Sequence, residues 1–284
     1  MGQNGAAETT AVPHRSGIEN VAQHNVWTLA ALGFLAYYTT VMWHEIAGHG
    51  LALYLIGAHH FVLTSTSMTS PDFQFLTDRT ALSGRFVSVA GVLANFVLGI
   101  ALFPLFRLLT RRNANLTTRF FLWLLAALNF YLGFVYPLFS GIFGVADFAA
   151  AIVSLPHQAF LRALEIIMGA LLCAATVRIF ASTFAEFPEN RRRLALIPYV
   201  SASLVFCAAG LRIPNGAQLM LISVLPAALM GQSILLFVTP VARRLGKPVP
   251  KPQAIAFSPT AILAALVFVV IIFRTAPGVH LTVP

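Results

Sequence analysis

Apolar runs long enough to cross a bilayer dominate the chain. They fall at residues 26–57, 84–106, 119–140, 159–182, 195–211, 217–239 and 259–275, and one crossing needs about 20 such residues. Six of the runs fit one crossing each. The first is longer, so it is expected to tilt, break or project from the membrane. The pattern predicts an all-α polytopic membrane protein with about seven transmembrane helices. Residues 138–156 are apolar enough for an extra crossing, but that would place two Arg/Lys clusters outside. The stretch therefore reads as a broken or re-entrant element, which needs protein or water to cover its backbone.

One region lacks a helical pattern. Residues 59–77, HHFVLTSTSMTSPDFQFLT, mix β-branched, aromatic and hydroxyl residues and predict a short β insert of one or two strands bounded by Ser70 and Pro71. Residues 1–25 are polar and read as a disordered N-terminal tail. Residues 240–258 carry Pro240, Pro248, Pro250 and Pro252 and read as a stiff basic linker. These features divide the chain into the tail, a membrane-embedded core at 26–158 and C-terminal transmembrane helices at 159–284.

Composition narrows the class. Hydrophobic residues make up 58% and charged residues 10%, and the mean hydropathy is +0.81. A soluble domain carries about 25% charged residues, so an ordinary soluble protein, a disordered chain and a nucleic-acid-binding domain are excluded. The net charge of +9 has a simpler source in cytoplasmic loops. With seven crossings and the N-terminus inside, 13 of the 18 basic residues fall on the inner side. This predicts a cytoplasmic N-terminus and an integral protein of a bacterial-type inner (plasma) membrane. Cys173 and Cys207 lie in apolar runs and imply no disulfide framework.

The candidate chemistry lies in VMWHEIAGHGLALYLIG, residues 41–57. His44, Glu45 and His49 interrupt an apolar helix. Titratable groups inside a bilayer cost roughly 2.5–3.5 kcal/mol each on insertion scales and mark functional interiors. Two imidazoles beside a carboxylate suit Zn²⁺, which accepts neutral His nitrogen and in catalytic sites keeps a position open for water. An adjacent Glu can take that water's proton. The histidines are five apart, in the pattern H-E-x-x-G-H, rather than four as in H-E-x-x-H. On a regular α-helix they diverge by about 140°. A one-residue π-bulge restores alignment, and Gly48 suits a loosened backbone. The dipeptidyl peptidase III family uses a similar six-residue form.

Three segments together resemble the site-2 protease family of intramembrane zinc metalloproteases. They are the His-Glu-His helix, the strand-like insert, and the span SVAGVLANFVLGIALF with Ala90, Gly91 and Asn95 in an A-G-x-x-x-N stretch. A later Asp near a Gly- and Pro-containing break completes the family's zinc ligands. Residues 129–148, NFYLGFVYPLFSGIFGVADF, offer Asp147, 98 residues after His49. The resemblance covers roughly residues 36–150. It departs in the extra residue between the histidines and in lacking N-P-D-G or L-D-G around Asp147. It implies His44, His49 and Asp147 as metal ligands, Glu45 as the catalytic base and Asn95 as a substrate-binding residue. Membrane-protein segments would be the substrates, with the lipid bilayer as surroundings.

Bland readings stand beside these. Asp147 before Phe148 and three alanines is also a natural helix N-cap. Asn95 and the histidines can serve as polar glue between helices. Glu165, Asp72, Asp78, His59, His60 and His157 compete as ligands, with His59 and His60 placed at a strand edge or the membrane interface. Trp27, Trp43 and Trp123 read as interfacial belt residues. Two other functions fit the sequence: an inactive protease-like binding or regulatory protein, and a proton or metal-ion transporter.

Overall fold

The computed structural model describes residues 23–72, 82–187, 190–245 and 253–284. The chain is an all-α polytopic membrane protein, 76% helical. The tail at 1–22, residues 73–81 with Asp78, and residues 246–252 of the basic linker lie outside the described residues.

The first helix, α1 (Val26–Leu55), has 30 residues and is about 45 Å long at 1.5 Å per residue. It exceeds one crossing, and it is α-helical except for a π-helical stretch at Trp43–Gly50. Asn25 starts it by accepting the Thr28 N–H at 2.9 Å, which satisfies one of the orphan donors of a helix start. The long helices α2 (Leu82–Arg111) and α3 (Leu116–Phe143) follow. Asn115 caps α3 through the Thr118 N–H at 2.8 Å. Gly144 ends it at φ +69°, a left-handed conformation that glycine adopts without strain.

A short helix, α4 (Ala146–Ile152), bridges to α5 (Gln158–Phe184). Its 7 residues are too few to cross a bilayer, so the 138–156 stretch is a broken element rather than another span. Helix α6 (Arg191–Gly210) comes next. The apolar run at 217–239 is not one smooth helix. Helix α7 covers residues 216–230 and contains a second π-helical stretch, Met220–Val224. Turns at 231–233 separate it from α8 (Ile234–Arg244). Among the described residues six helices are long and apolar enough to span, the sixth running Leu225–Arg244. The seventh expected crossing is the shorter apolar helix α9, Pro259–Thr275, with 17 residues.

The main core lies among α1, α3, α5, α6 and α8. Trp123 is fully buried there, so its reading as an interfacial belt residue is corrected. Its indole stacks on Phe184 at 4.8 Å, and its N–H donates to the Thr183 hydroxyl at 2.9 Å. That bond is what lets an indole sit in an apolar core. Trp27, by contrast, is 71% exposed.

The β insert is real and has a partner from far along the chain. Strand β1 (His60–Leu63) pairs antiparallel with β2 (Met68–Thr69) on one side and with β3 (Val279–Thr282) on the other. The β1/β3 register sets Phe61 opposite Leu281 and Val62 opposite His280. Phe61 is 3% exposed and packs with Ala52, Leu53, Val87 and Ala90, which docks the sheet on the ends of α1 and α2. Beyond β2, the carboxylate of Asp72 accepts the backbone N–H groups of His59 and His60 at 2.7 and 2.8 Å and pairs with His60 Nδ1 at 2.9 Å. His59 and His60 therefore decorate the strand, as expected.

The two backbone N–H groups, joined by the His60 side chain, pull the Asp72 carboxyl down to about 2. An unfolded Asp titrates near about 3.9. Its contribution to holding the hairpin is thus complete above that value and is lost as the pH falls through about 2. The expected NMR result is that the Asp72 side-chain carboxyl resonance shifts with a midpoint near about 2. In Asp72→Asn that transition disappears.

Candidate metal centre

The π-helical stretch decides the geometry. A π-turn holds one more residue than an α-turn, so side chains five apart fall on one face. His44 and His49 accordingly converge, with Nε2 atoms 3.1 Å apart and rings nearly perpendicular at 79°. Gly48 serves the site through packing rather than through a special φ. A Cβ there would collide with the Gly91 backbone, and a Cβ on Gly91 would collide with the His44 ring. The paired glycines let α2 press directly on the distorted turn.

Helix α2 then fixes both rings. His49 Nδ1 donates to the Val87 carbonyl at 2.7 Å, which leaves Nε2 with its lone pair facing inward. His44 Nδ1 meets the Asn95 amide at 3.3 Å, and the Asn95 Oδ1 is buried without a partner. Rotating the amide by half a turn, which exchanges its O and N, puts Oδ1 on the His44 Nδ1–H and frees that Nε2 as well. Backing of ligand imidazoles by such acceptors is characteristic of metal sites. Trp43 adds a third tie, from its indole N–H to the Ala94 carbonyl at 2.9 Å.

Asp147 completes the cluster. Its Oδ2 lies 3.1 Å from His44 Nε2 and 3.5 Å from His49 Nε2. The N-cap reading does not hold: the cap of α4 is Val145, with no side-chain cap bond, and Asp147 lies inside the first turn. Ala146, directly before it, has φ +69°. A non-glycine residue there carries strain of order 1–3 kcal/mol and tends to mark a functional site.

The donor set fits Zn²⁺. Ligands at about 2.0–2.1 Å in a tetrahedron lie about 3.3–3.4 Å from one another, close to the triangle of 3.1, 3.1 and 3.5 Å. Two neutral imidazoles and one carboxylate are the ligand types of a three-coordinate protein site with an open position. Among the described residues this is the one group of three or more His, Cys, Asp or Glu side chains close enough to share an ion.

Glu45 is 5% exposed beside the cluster. Its Oε2 accepts the Met68 N–H of β2 at 2.8 Å, and Oε1 has no hydrogen-bond partner among the described residues. A cavity of about 10 Å³ touches Glu45, His44, Thr66 and Tyr136, about the room one water occupies. Sequence reasoning missed Tyr136, whose ring lies 4.8 Å from His44 at 30°; its place just before Pro137 in the broken segment was the available signal. Asn95 is 0% exposed and stands behind His44, so it orients a ligand instead of facing a substrate. Glu165 is not part of the cluster, and neither of its carboxylate oxygens has a partner among the described residues. His157 sits at the N-cap of α5. The C-terminal helices also contribute walls, since Phe206 and Ala227 line the same small cavity; the site therefore crosses the expected division at residue 158.

Comparison with protein-family models, curated proteins and solved structures finds no match for this chain. The packing itself makes a prediction. Gly91→Val drives a side chain into His44 and is expected to cost about 1–3 kcal/mol by overpacking. Thermal unfolding in detergent should show a lower midpoint, with loss of Co²⁺ binding in the same preparation.

Proposed function

We propose that this chain is a zinc-dependent intramembrane metalloprotease that hydrolyses peptide bonds of membrane-associated substrates. The observation that carries the reading is the convergence of His44, His49 and Asp147 on one focus, with Glu45 beside it. The π-turn supports activity over the inactive, regulatory reading, because that reading rested on a regular helix that parts the histidines. The resemblance to the site-2 protease family points the same way.

His44 Nε2, His49 Nε2 and Asp147 Oδ2 would hold the metal. Bound there, zinc supplies a Lewis acid that acidifies water and polarises a carbonyl. Glu45 removes a proton from the attacking water through its free oxygen and returns it to the leaving amine. The Met68 N–H keeps the Glu45 carboxylate in place for both transfers. The substrate must be unwound before attack, because helical carbonyls are already bonded. The strands at 60–69 are a candidate platform for that extended segment.

The distribution of basic residues supports a cytoplasmic N-terminus, and we infer a bacterial-type inner (plasma) membrane. The sheet and the metal centre then lie toward the outer side.

The test compares membranes from cells expressing wild type and Glu45→Gln, with cleavage products read by mass spectrometry. Glu45→Gln is expected to lower cleavage by about 10²–10⁴-fold while keeping one zinc per chain. His44→Ala, His49→Ala and Asp147→Ala are each expected to lose the zinc. Undiminished cleavage by Glu45→Gln overturns the mechanism. Zinc-free wild type overturns the assignment of the metal.

A further inference from the structure

Tyr136 carries a hydroxyl that the fold does not use. Tyr37, Tyr131 and Tyr199 spend theirs on the Ala227 carbonyl, Ser233 and the Leu229 carbonyl at 2.5, 2.9 and 3.3 Å. The Tyr136 hydroxyl has no hydrogen-bond partner among the described residues.

Its position is a wall between two spaces. On one side lies the small cavity with His44, Glu45 and Thr66. On the other lies an apolar cavity of about 220 Å³ between α3 and α7, lined by Phe139, Val145, Pro226 and Met230. A second apolar space of about 430 Å³ shares those four residues and reaches Phe143 and Leu229. The Tyr136 ring also packs against the ligand itself, 4.8 Å from the His44 ring. A peptide segment lying in the apolar cavity therefore touches Tyr136, which also lines the small cavity beside His44 and Glu45.

We propose that Tyr136 is a catalytic residue whose hydroxyl donates a hydrogen bond to the scissile carbonyl oxygen as that oxygen gains negative charge. The inference rests on the hydrolase reading and adds a substrate class, segments with large apolar side chains that fit against Phe139 and Met230. In the addition step the water oxygen bonds to the carbonyl carbon, the C=O π pair moves onto the carbonyl oxygen, and the water's proton goes to Glu45. In the breakdown step that pair re-forms the C=O bond. The C–N bond breaks with its pair on nitrogen, and nitrogen takes the proton from Glu45. Tyr136 keeps its own proton throughout, and in this role its O–H stabilises the charge that develops on the carbonyl oxygen. Asn95 cannot take this role, because it is fully buried behind His44.

The experiment uses the purified full chain in lipid vesicles with a Leu- and Phe-rich transmembrane peptide containing a central glycine pair. Wild type, Tyr136→Phe and Thr66→Val are compared for kcat, KM and zinc content. Tyr136→Phe keeps the ring against His44 and removes only the donor. Its kcat is expected to fall about 10²–10³-fold, with KM within about threefold of wild type and zinc unchanged. A kcat within about twofold of wild type overturns the proposal. Loss of zinc together with activity also overturns it, since the tyrosine would then be holding His44 in place. A larger kcat loss in Thr66→Val moves the donor to the hairpin and overturns it too. No cleavage by zinc-loaded wild type overturns the hydrolase reading and this inference with it, an outcome distinct from the other three.

Discussion

Two imidazoles five residues apart on one helix must reach a single carboxylate, and the rest of the site is arranged around that demand. A regular helix would turn them about 140° apart. The eight-residue π-helical stretch Trp43–Gly50 removes the divergence but gives up regular hydrogen bonding, so its surroundings have to hold it. Helix α2 does so at four places along one face. Val87 takes the His49 N–H, Gly91 makes room for His44, Ala94 takes the Trp43 N–H and Asn95 meets His44 from behind. The A-G-x-x-x-N stretch is thus a clamp for a distorted turn.

The carboxylate is delivered by a second irregularity. Helix α3 stops at Gly144, the chain reverses through Ala146 in a left-handed conformation, and Asp147 enters the cluster. Broken backbone at membrane depth exposes carbonyls that lipid cannot satisfy. Arg162 of α5 answers part of this need, donating from Nε to the Gly141 carbonyl at 3.1 Å and from Nη2 to the Ile142 carbonyl at 3.2 Å. The Arg85 guanidinium adds a bond to the Ser154 hydroxyl at 2.8 Å. Arg162 and Arg85 therefore both have local structural work at this break.

How much of this could be read from residues alone differs by element. The spans were legible because lipid demands long apolar helices, and His44, Glu45 and His49 stood out because charge is rare inside them. The π-turn was legible as the one local distortion that reconciles the five-residue spacing with a shared ligand focus. Asp147 was ambiguous, because a helix start and a ligand use the same residue type, and only the position of Val145 at the cap separates them. Trp123 was misread because a tryptophan near a span end serves equally well as a surface anchor or as a core residue bonded to Thr183. The turn at 231–233 sits in an apolar run whose one proline, Pro226, lies five residues before it, so hydropathy passed over it. Tyr136 and strand β3 escaped because their meaning comes from partners far away in the chain.

The sheet has a further consequence for how a new molecule matures. His59 and Val283 are bonded across a separation of 224 residues. A ribosome working at roughly 5–20 residues per second takes on the order of 10–45 s to bridge that interval. During that time the first two strands stand with one flank bare, and the hairpin that steadies Glu45 lacks its third member. The sheet is thus complete only once residues 279–282, beyond helix α9, have been synthesised.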